Sequence, residues 1–162
     1  MKSSTASLLA CLLVFATAAS DPAAAQRGGP WRGCYLNDGW QVEYRPALAI
    51  PDIALATFDR RTGEPVVYFN PLQLAWLSAQ FTEWTHAHEC AHHVLGHLRF
   101  GPITAAHESI ADCWAIRELV GRGAFSAADV ESVQNAIAHL LPGDWLHMPG
   151  HYRAIALRSC LG

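Results

Sequence analysis

Two pairs of metal-ligand residue types, each pair four residues apart, constrain this sequence more than any other feature. The first pair is His88 and His92, within the string His-Glu-Cys-Ala-His, and the second is Glu108 and Asp112. Residues four apart lie one turn above each other on the same face of an α-helix. The sequence therefore predicts two helices that pack side by side with a metal site between them.

The residue types of the two pairs favour zinc. His88, His92 and Glu108 are the predicted ligands of one zinc ion per chain, since tetrahedral zinc accepts imidazole nitrogens and a carboxylate oxygen. Three protein ligands leave a fourth position for water, which distinguishes a catalytic site from a structural one. Glu89 is the predicted general base toward that water. Asp112 is expected to accept the outer N–H of a ligating histidine, and a solvated helix face is the alternative for both acids.

The segments around these pairs predict an α+β fold, with a small sheet packed on a helical bundle that carries the zinc site. Residues 53–58 and 66–69 indicate two strands that form a β-hairpin. Asn70 followed by proline is typical of a helix start. Asp129 three residues after Ser126 indicates a capping box. The predicted helical segments are 71–76, 78–96, 106–120, 126–141 and 151–160.

Residues 1–25 are typical of a secretory leader, with a positive charge, an apolar run too short to span a bilayer and three alanines at the end. Cleavage after Ala25 would leave residues 26–162 as one mature domain. Cleavage after Ala18 and a lipoprotein signal ending at Cys11 are the alternatives. The mature protein is expected to be secreted or periplasmic, without a membrane anchor.

The mature chain would keep four cysteines, an even number suited to two disulfides in an exported protein. Cys90 lies on the first predicted ligand helix and Cys113 on the second. Side-by-side packing of those helices favours a Cys90–Cys113 bridge. A Cys34–Cys160 bridge would then tie the two ends of the domain together. All three connectivities remain open, and cysteine ligation of zinc is the competing interpretation.

The two motifs resemble those of the gluzincin metallopeptidases, thermolysin among them, in which HExxH is followed by ExxxD on the next helix. The local form, over residues 66–160, looks most like small exported relatives of the CAAX prenyl protease/HtpX family. The resemblance implies a zincin-like fold and hydrolysis of peptide bonds in a peptide or protein substrate. It implies His88, His92 and Glu108 as zinc ligands, Glu89 as catalytic base and Asp112 behind the ligands.

The same family carries a late His-Pro element followed by arginine. His147 is the candidate residue for stabilising an oxyanion, and Arg153 is the candidate partner of an acidic group near the site. Met148 stands where the family has proline, and His151 or Tyr152 could serve instead. A surface turn is the alternative interpretation of this segment.

The remaining histidines are expected to have other roles. His97 is offset by one position from the third ligand of the metzincin pattern, so its ligation of zinc is a minor alternative. His107 points away from Glu108 on the predicted helix. Three more are expected to be ordinary polar or core residues: His86, His93 and His139.

The partner and function classes follow from charge and from the resemblance. A formal net charge of −3 provides no basic patch and argues against a nucleic-acid partner. In gluzincins an edge strand beside the zinc helix pairs with peptide backbone, and residues 66–69 are the candidate, with core packing as the alternative. A non-catalytic zinc-containing protein-binding module and a cell-wall peptide amidase are the rival functions. The sequence indicates neither a natural substrate nor an oligomeric state.

Overall fold

The computed structural model of the protein describes residues 33–140 and 149–162. Within them, four strands form one small sheet in the order β1-β2-β4-β3. β2 and β4 run parallel, and the other two neighbouring pairs run antiparallel. The strands are β1 (Cys34–Tyr35), β2 (Gln41–Pro46), β3 (Ala54–Phe58) and β4 (Pro65–Phe69).

The helices begin where capping side chains precede them. Asn70 accepts backbone N–H groups at the start of α1, and Ser78 accepts the N–H of Phe81 at the start of α2. Thr104 and His107 form a reciprocal capping box on α3. Each such cap satisfies N–H groups that have no partner within the helix. The helices are α1 (Pro71–Leu74), α2 (Ala79–Val94), α3 (Ala105–Gly121), α4 (Ala127–Leu140) and α5 (Gly150–Ser159).

The predicted α+β class is confirmed, as is the hairpin formed by β3 and β4. Helix α2 lies between two apolar clusters, because its buried residues point to two sides. On one side Phe81 and Trp84 pack with α3, α4 and α5. On the other side Cys90 and Val94 pack against the sheet. The helix that carries the first motif is therefore held by both layers of the fold.

The sheet differs from the prediction at three strands, the first of which is β1, a short strand that was not predicted. β2 was not predicted, although Gln41 to Arg45 alternate polar and apolar residues and Val42 is buried. The proposed edge position of residues 66–69 is wrong, because β4 pairs with β2 on one side and β3 on the other. Val66 and Val67 are buried accordingly, so the core-packing alternative holds. The edge strand next to β4 is β3.

Two disulfides are present, as predicted, but their pairing is Cys34–Cys90 and Cys113–Cys160. The predicted Cys90–Cys113 and Cys34–Cys160 bridges are therefore wrong. The physical reason is the helix face: Cys90 points about 200° away from His88 around α2, toward the sheet and β1. Cys113 instead faces α5, which Cys160 directly follows. Helices α2 and α3 thus meet through other residues.

Some predictions lie outside the described residues, namely the leader over residues 1–25 with its cleavage site, and His147. None of the helices that the structure describes is both long and apolar enough to cross a membrane.

Candidate metal centre

The facing sides of α2 and α3 bring three ligand-type side chains together. Nε2 of His88 lies 3.1 Å from Nε2 of His92 and 3.1 Å from Oε2 of Glu108. Nε2 of His92 lies 3.5 Å from Oε1 of Glu108. All three residues are buried, the most exposed at 7%. The i,i+4 pair on α2 and the first acid of the pair on α3 therefore form a group that could hold a metal ion.

The outer ring nitrogens of the two histidines have different neighbours. Nδ1 of His88 lies 2.8 Å from Oδ1 of Asp112. Nδ1 of His92 lies 3.2 Å from Nδ1 of His97. Both rings thus have one nitrogen toward Glu108 and the other toward a buried polar side chain.

Arg153 on α5 neutralises Asp112. Its Nε and Nη2 donate to the two carboxylate oxygens of Asp112 at 2.6 and 2.7 Å. The same Nη2 lies 3.9 Å from Oε2 of Glu108. The guanidinium group also lies over the ring of Trp84, 5.3 Å from its centroid, a cation–π arrangement. The predicted acidic neighbour of Arg153 is therefore Asp112.

The buried charges leave a local excess of acid. Glu108 and Asp112 contribute two carboxylates, and Arg153 contributes one cation to the same interior region. Burial lowers the pKa of His88, but Asp112 and Glu108 outweigh it and raise that pKa to about 9. Burial and the neighbouring His88 lower the pKa of His92 to about 3. The site therefore favours a positive charge between its ligand atoms, whether a proton or a metal ion supplies it.

Glu89 lies on α2 next to His88 and reaches the sheet. Its Oε2 accepts the backbone N–H of Ala56 in β3 at 2.6 Å. Loss of hydration raises the pKa of this carboxyl group, while His88 and the Ala56 N–H counteract that rise. Glu89 therefore lines the same cleft as His88, with a carboxylate that binds a proton more readily than a solvated one does.

A cleft of about 450 Å³ opens beside the ligand group. One wall of this cleft consists of residues 51–56, which lead into β3 and include its beginning. Ile103 and Arg153 line the cleft from other parts of the fold. The residues of α2 in the cleft fall on one helical face. They are Phe81, Trp84, Thr85, His88, Glu89 and His92.

Another cleft, of about 490 Å³, lies on the outer side of α3 around Ile110 and Trp114. It contains none of the three ligand-type residues and neither Glu89 nor Arg153. The cleft beside β3 is therefore the candidate for binding and chemistry, despite its slightly smaller volume.

The histidines that were expected to be ordinary polar or core residues lie away from the ligand-type atoms of His88, His92 and Glu108. Nε2 of His93 lies 3.1 Å from the carbonyl oxygen of Val66, and Nδ1 of His139 lies 2.6 Å from the carbonyl oxygen of Asn135. His86 packs between two aromatic rings of the sheet. His151 and Tyr152, which were suggested as substitutes for His147, are exposed, and their rings lie in contact at a tilt.

Sequence reasoning missed the wall of the cleft at residues 51–56, because nothing in a short Pro-Asp-Ile-Ala segment marks a binding surface. It considered His97 only as a minor alternative ligand, whereas the structure places Nδ1 of His97 beside Nδ1 of His92 and leaves His97 out of the ligand group. The helix-ending Gly96 beside it was the available signal, since a residue after such a glycine turns back onto the helix. Comparison with family models, curated proteins and solved structures finds no match.

Proposed function

We propose that this chain is an exported zinc peptidase, in which His88, His92 and Glu108 hold the metal and Glu89 is the general base. The single observation that carries the proposal is the convergence of these three buried ligand atoms beside Glu89 in an open cleft. The resemblance of both motifs to those of gluzincins supports the same reaction. The two disulfides are typical of the oxidising compartments that exported proteins enter.

The distances and the donor types support zinc as the metal. Ligands at the usual zinc distance of about 2.0–2.1 Å, arranged tetrahedrally, lie about 3.3–3.4 Å from one another. The separations between the ligand atoms of His88, His92 and Glu108 are 3.1, 3.1 and 3.5 Å. Two imidazoles and one carboxylate are also a frequent ligand set of catalytic zinc. When bound, zinc lowers the pKa of a coordinated water to about 7 and polarises a carbonyl group.

Glu89 provides the proton acceptor for this reaction. Glu89 lines the cleft that His88, His92 and Glu108 also line, and in this role it would take a proton from water and pass it to the leaving amine. The raised pKa of Glu89 suits both transfers, because a general base works best when its pKa approaches the working pH. The Ala56 N–H holds the carboxylate at the sheet side of the cleft.

The edge strand β3 supports binding of an extended peptide. Because the N–H of Ala56 points away from β4 to Glu89, the peptide groups of Ala54, two residues earlier, point to the same side. Peptide groups that point outward from a sheet edge can pair with added backbone, and Ala54 lines the cleft. Across the cleft, Phe81, Trp84 and Ile103 offer apolar surface to side chains of the peptide. The substrate would thus lie between β3 and α2.

The substitution Glu89→Gln tests the proposal. The amide side chain of this variant keeps an oxygen that can accept the Ala56 N–H, so we expect the fold and the metal content to be retained. Cleavage of a peptide library is expected to fall at least about 100-fold, the scale of a lost general base. Glu131→Gln, at an exposed acid on α4, is the matched control and should cleave like the wild type.

Three results would contradict the proposal in different ways. Wild-type protein purified without metal, and unable to take up zinc, rules out the metal centre. Zinc-loaded wild type that cleaves no peptide favours a non-catalytic binding module, or an amidase if it cleaves cell-wall peptides. Full activity of the Glu89→Gln protein shows that another group is the base.

A further inference from the structure

The chain turns back at the end of α2, and this turn places the imidazole ring of His97 beside that of His92. Gly96 has a φ of +72°, in the left-handed region that glycine adopts without strain. The N–H of Gly96 donates to the carbonyl of His93, and the N–H of His97 donates to that of His92 at 3.0 Å. These two bonds form a Schellman motif. Backbone geometry therefore holds the side chain of His97 beside the ring of His92.

The tautomer of His92 gives this contact a chemical meaning. A histidine that binds metal through Nε2 is neutral and carries its proton on Nδ1. Nδ1 of His92 lies 3.2 Å from Nδ1 of His97, so His92 donates and His97 accepts. We propose that His97 is a positioning residue for the metal centre, which fixes the tautomer and ring orientation of His92. The inference rests on the proposed zinc site and assigns to it a partner that does not contact the metal.

His107 in turn fixes the ring of His97. The two imidazoles stack with centroids 4.4 Å apart and an angle of 11° between their planes. Nδ1 of His107 accepts the backbone N–H of Thr104 in the capping box of α3. His107 directly precedes Glu108, the ligand on α3. The stack therefore connects the ligand of one helix with the segment that carries the ligand of the other.

The two histidine ligands thus have partners of different character. His88 faces Asp112, which is charged and paired with Arg153. His92 faces a neutral acceptor, since His97 accepts through an unprotonated nitrogen. A neutral partner adds less electron density to the ring than a carboxylate does. Its main effect on His92 is therefore to orient the ring.

Two variants of His97 separate hydrogen bonding from ring packing. His97→Phe keeps an aromatic ring for the stack with His107 but has no acceptor. His97→Asn loses the ring but places an amide oxygen near the position of Nδ1. His139→Phe, at an exposed histidine on α4, is the matched control. Zn²⁺ affinity is measured by competition with a chelator, Co²⁺ coordination by visible absorption, and the stability of metal-free protein by denaturant unfolding.

We expect His97→Phe to bind Zn²⁺ about 10–100-fold more weakly, the usual effect of losing such a partner. Its Co²⁺ spectrum should shift, and its metal-free stability should stay near that of the wild type. His97→Asn should recover most of the affinity, and His139→Phe should match the wild type. Unchanged affinity in His97→Phe, or equal losses in both His97 variants, overturns the inference while leaving the zinc site intact. Wild-type protein that binds neither metal overturns the proposed function and this inference together.

Discussion

Asp112 of α3 accepts two hydrogen bonds from Arg153 of α5, and both side chains are buried. The pair lies directly behind His88 and joins the last helix to the helix that carries Glu108. In a buried ion pair, the loss of hydration of both charges offsets much of their electrostatic attraction. Loss of one partner, however, leaves a charge in the interior without compensation. The pair therefore ties the position of α5 to the electrostatics of the candidate metal centre.

Replacement of Arg153 by methionine should destabilise the metal-free protein. The carboxylate of Asp112 would then be buried without its guanidinium partner, a loss of about 3–5 kcal/mol. Arg122→Met is the control, because Arg122 forms a partly exposed i,i+4 pair with Glu118. Such a pair contributes about 0.3–0.5 kcal/mol. Equal losses of unfolding free energy in urea for the two variants would contradict this account.

The disulfides should contribute similar stability by constraining the unfolded chain. Their cysteines are 56 and 47 residues apart, and loops of this size correspond to about 4 kcal/mol in the chain-entropy account. We expect a loss of roughly 2–4 kcal/mol when both cysteines of either bridge are replaced by alanine. Peptide mapping under non-reducing conditions checks the disulfide pairing itself. A peptide that joins Cys90 to Cys113 would contradict the structure.

The sequence predicted the local parts of this fold well because they depend on neighbouring residues. The caps at Asn70 and Ser78 and the i,i+4 ligand pairs act within one or two helical turns. The two helices had to pack together for Glu108 to meet His88 and His92. The structure has that arrangement.

The parts that could not be predicted depend on distant partners. β2 pairs with β4, which begins 24 residues after the start of β2. The alternation of polar and apolar residues from Gln41 to Arg45 does not identify that partner. Chain order places residues 66–69 nearest to the motif, but sheet order puts β3 at the edge. The prediction of the disulfide pairing was wrong for the same reason. The layers that Cys90 and Cys113 face are known only once the helices are packed.

The capping box of α4 predicts a pH-dependent contribution to stability. Asp129 accepts the N–H and the hydroxyl of Ser126, and these bonds lower the pKa of its carboxyl group. Because the folded-state pKa lies below the unfolded value of about 3.9, the stabilisation is present above that pH. It is lost as the pH falls through the folded-state pKa.

Asp129→Ala should therefore cost about 0.5–1 kcal/mol near pH 7, a small value because the cap is exposed. The difference from the wild type should shrink as the pH falls below about 4. Urea unfolding at a series of pH values measures it. A double-mutant cycle with Ser126→Ala isolates the cap, and no coupling between the two positions at pH 7 would contradict the assignment.

The neighbouring histidines His92 and His93 provide a stringent comparison on α2. Consecutive residues of a helix point about 100° apart, so His92 faces Glu108 while His93 faces the sheet and the carbonyl of Val66. We expect His92→Phe to lose metal binding. His93→Phe should keep one metal per chain, yet lose about 0.5–1.5 kcal/mol of stability because one hydrogen bond to the buried carbonyl of Val66 is lost. Metal content of the purified proteins and urea unfolding measure the two effects separately. Loss of metal from the His93 variant, in a protein that is still folded, would show that the ligand face of α2 has been assigned to the wrong residues.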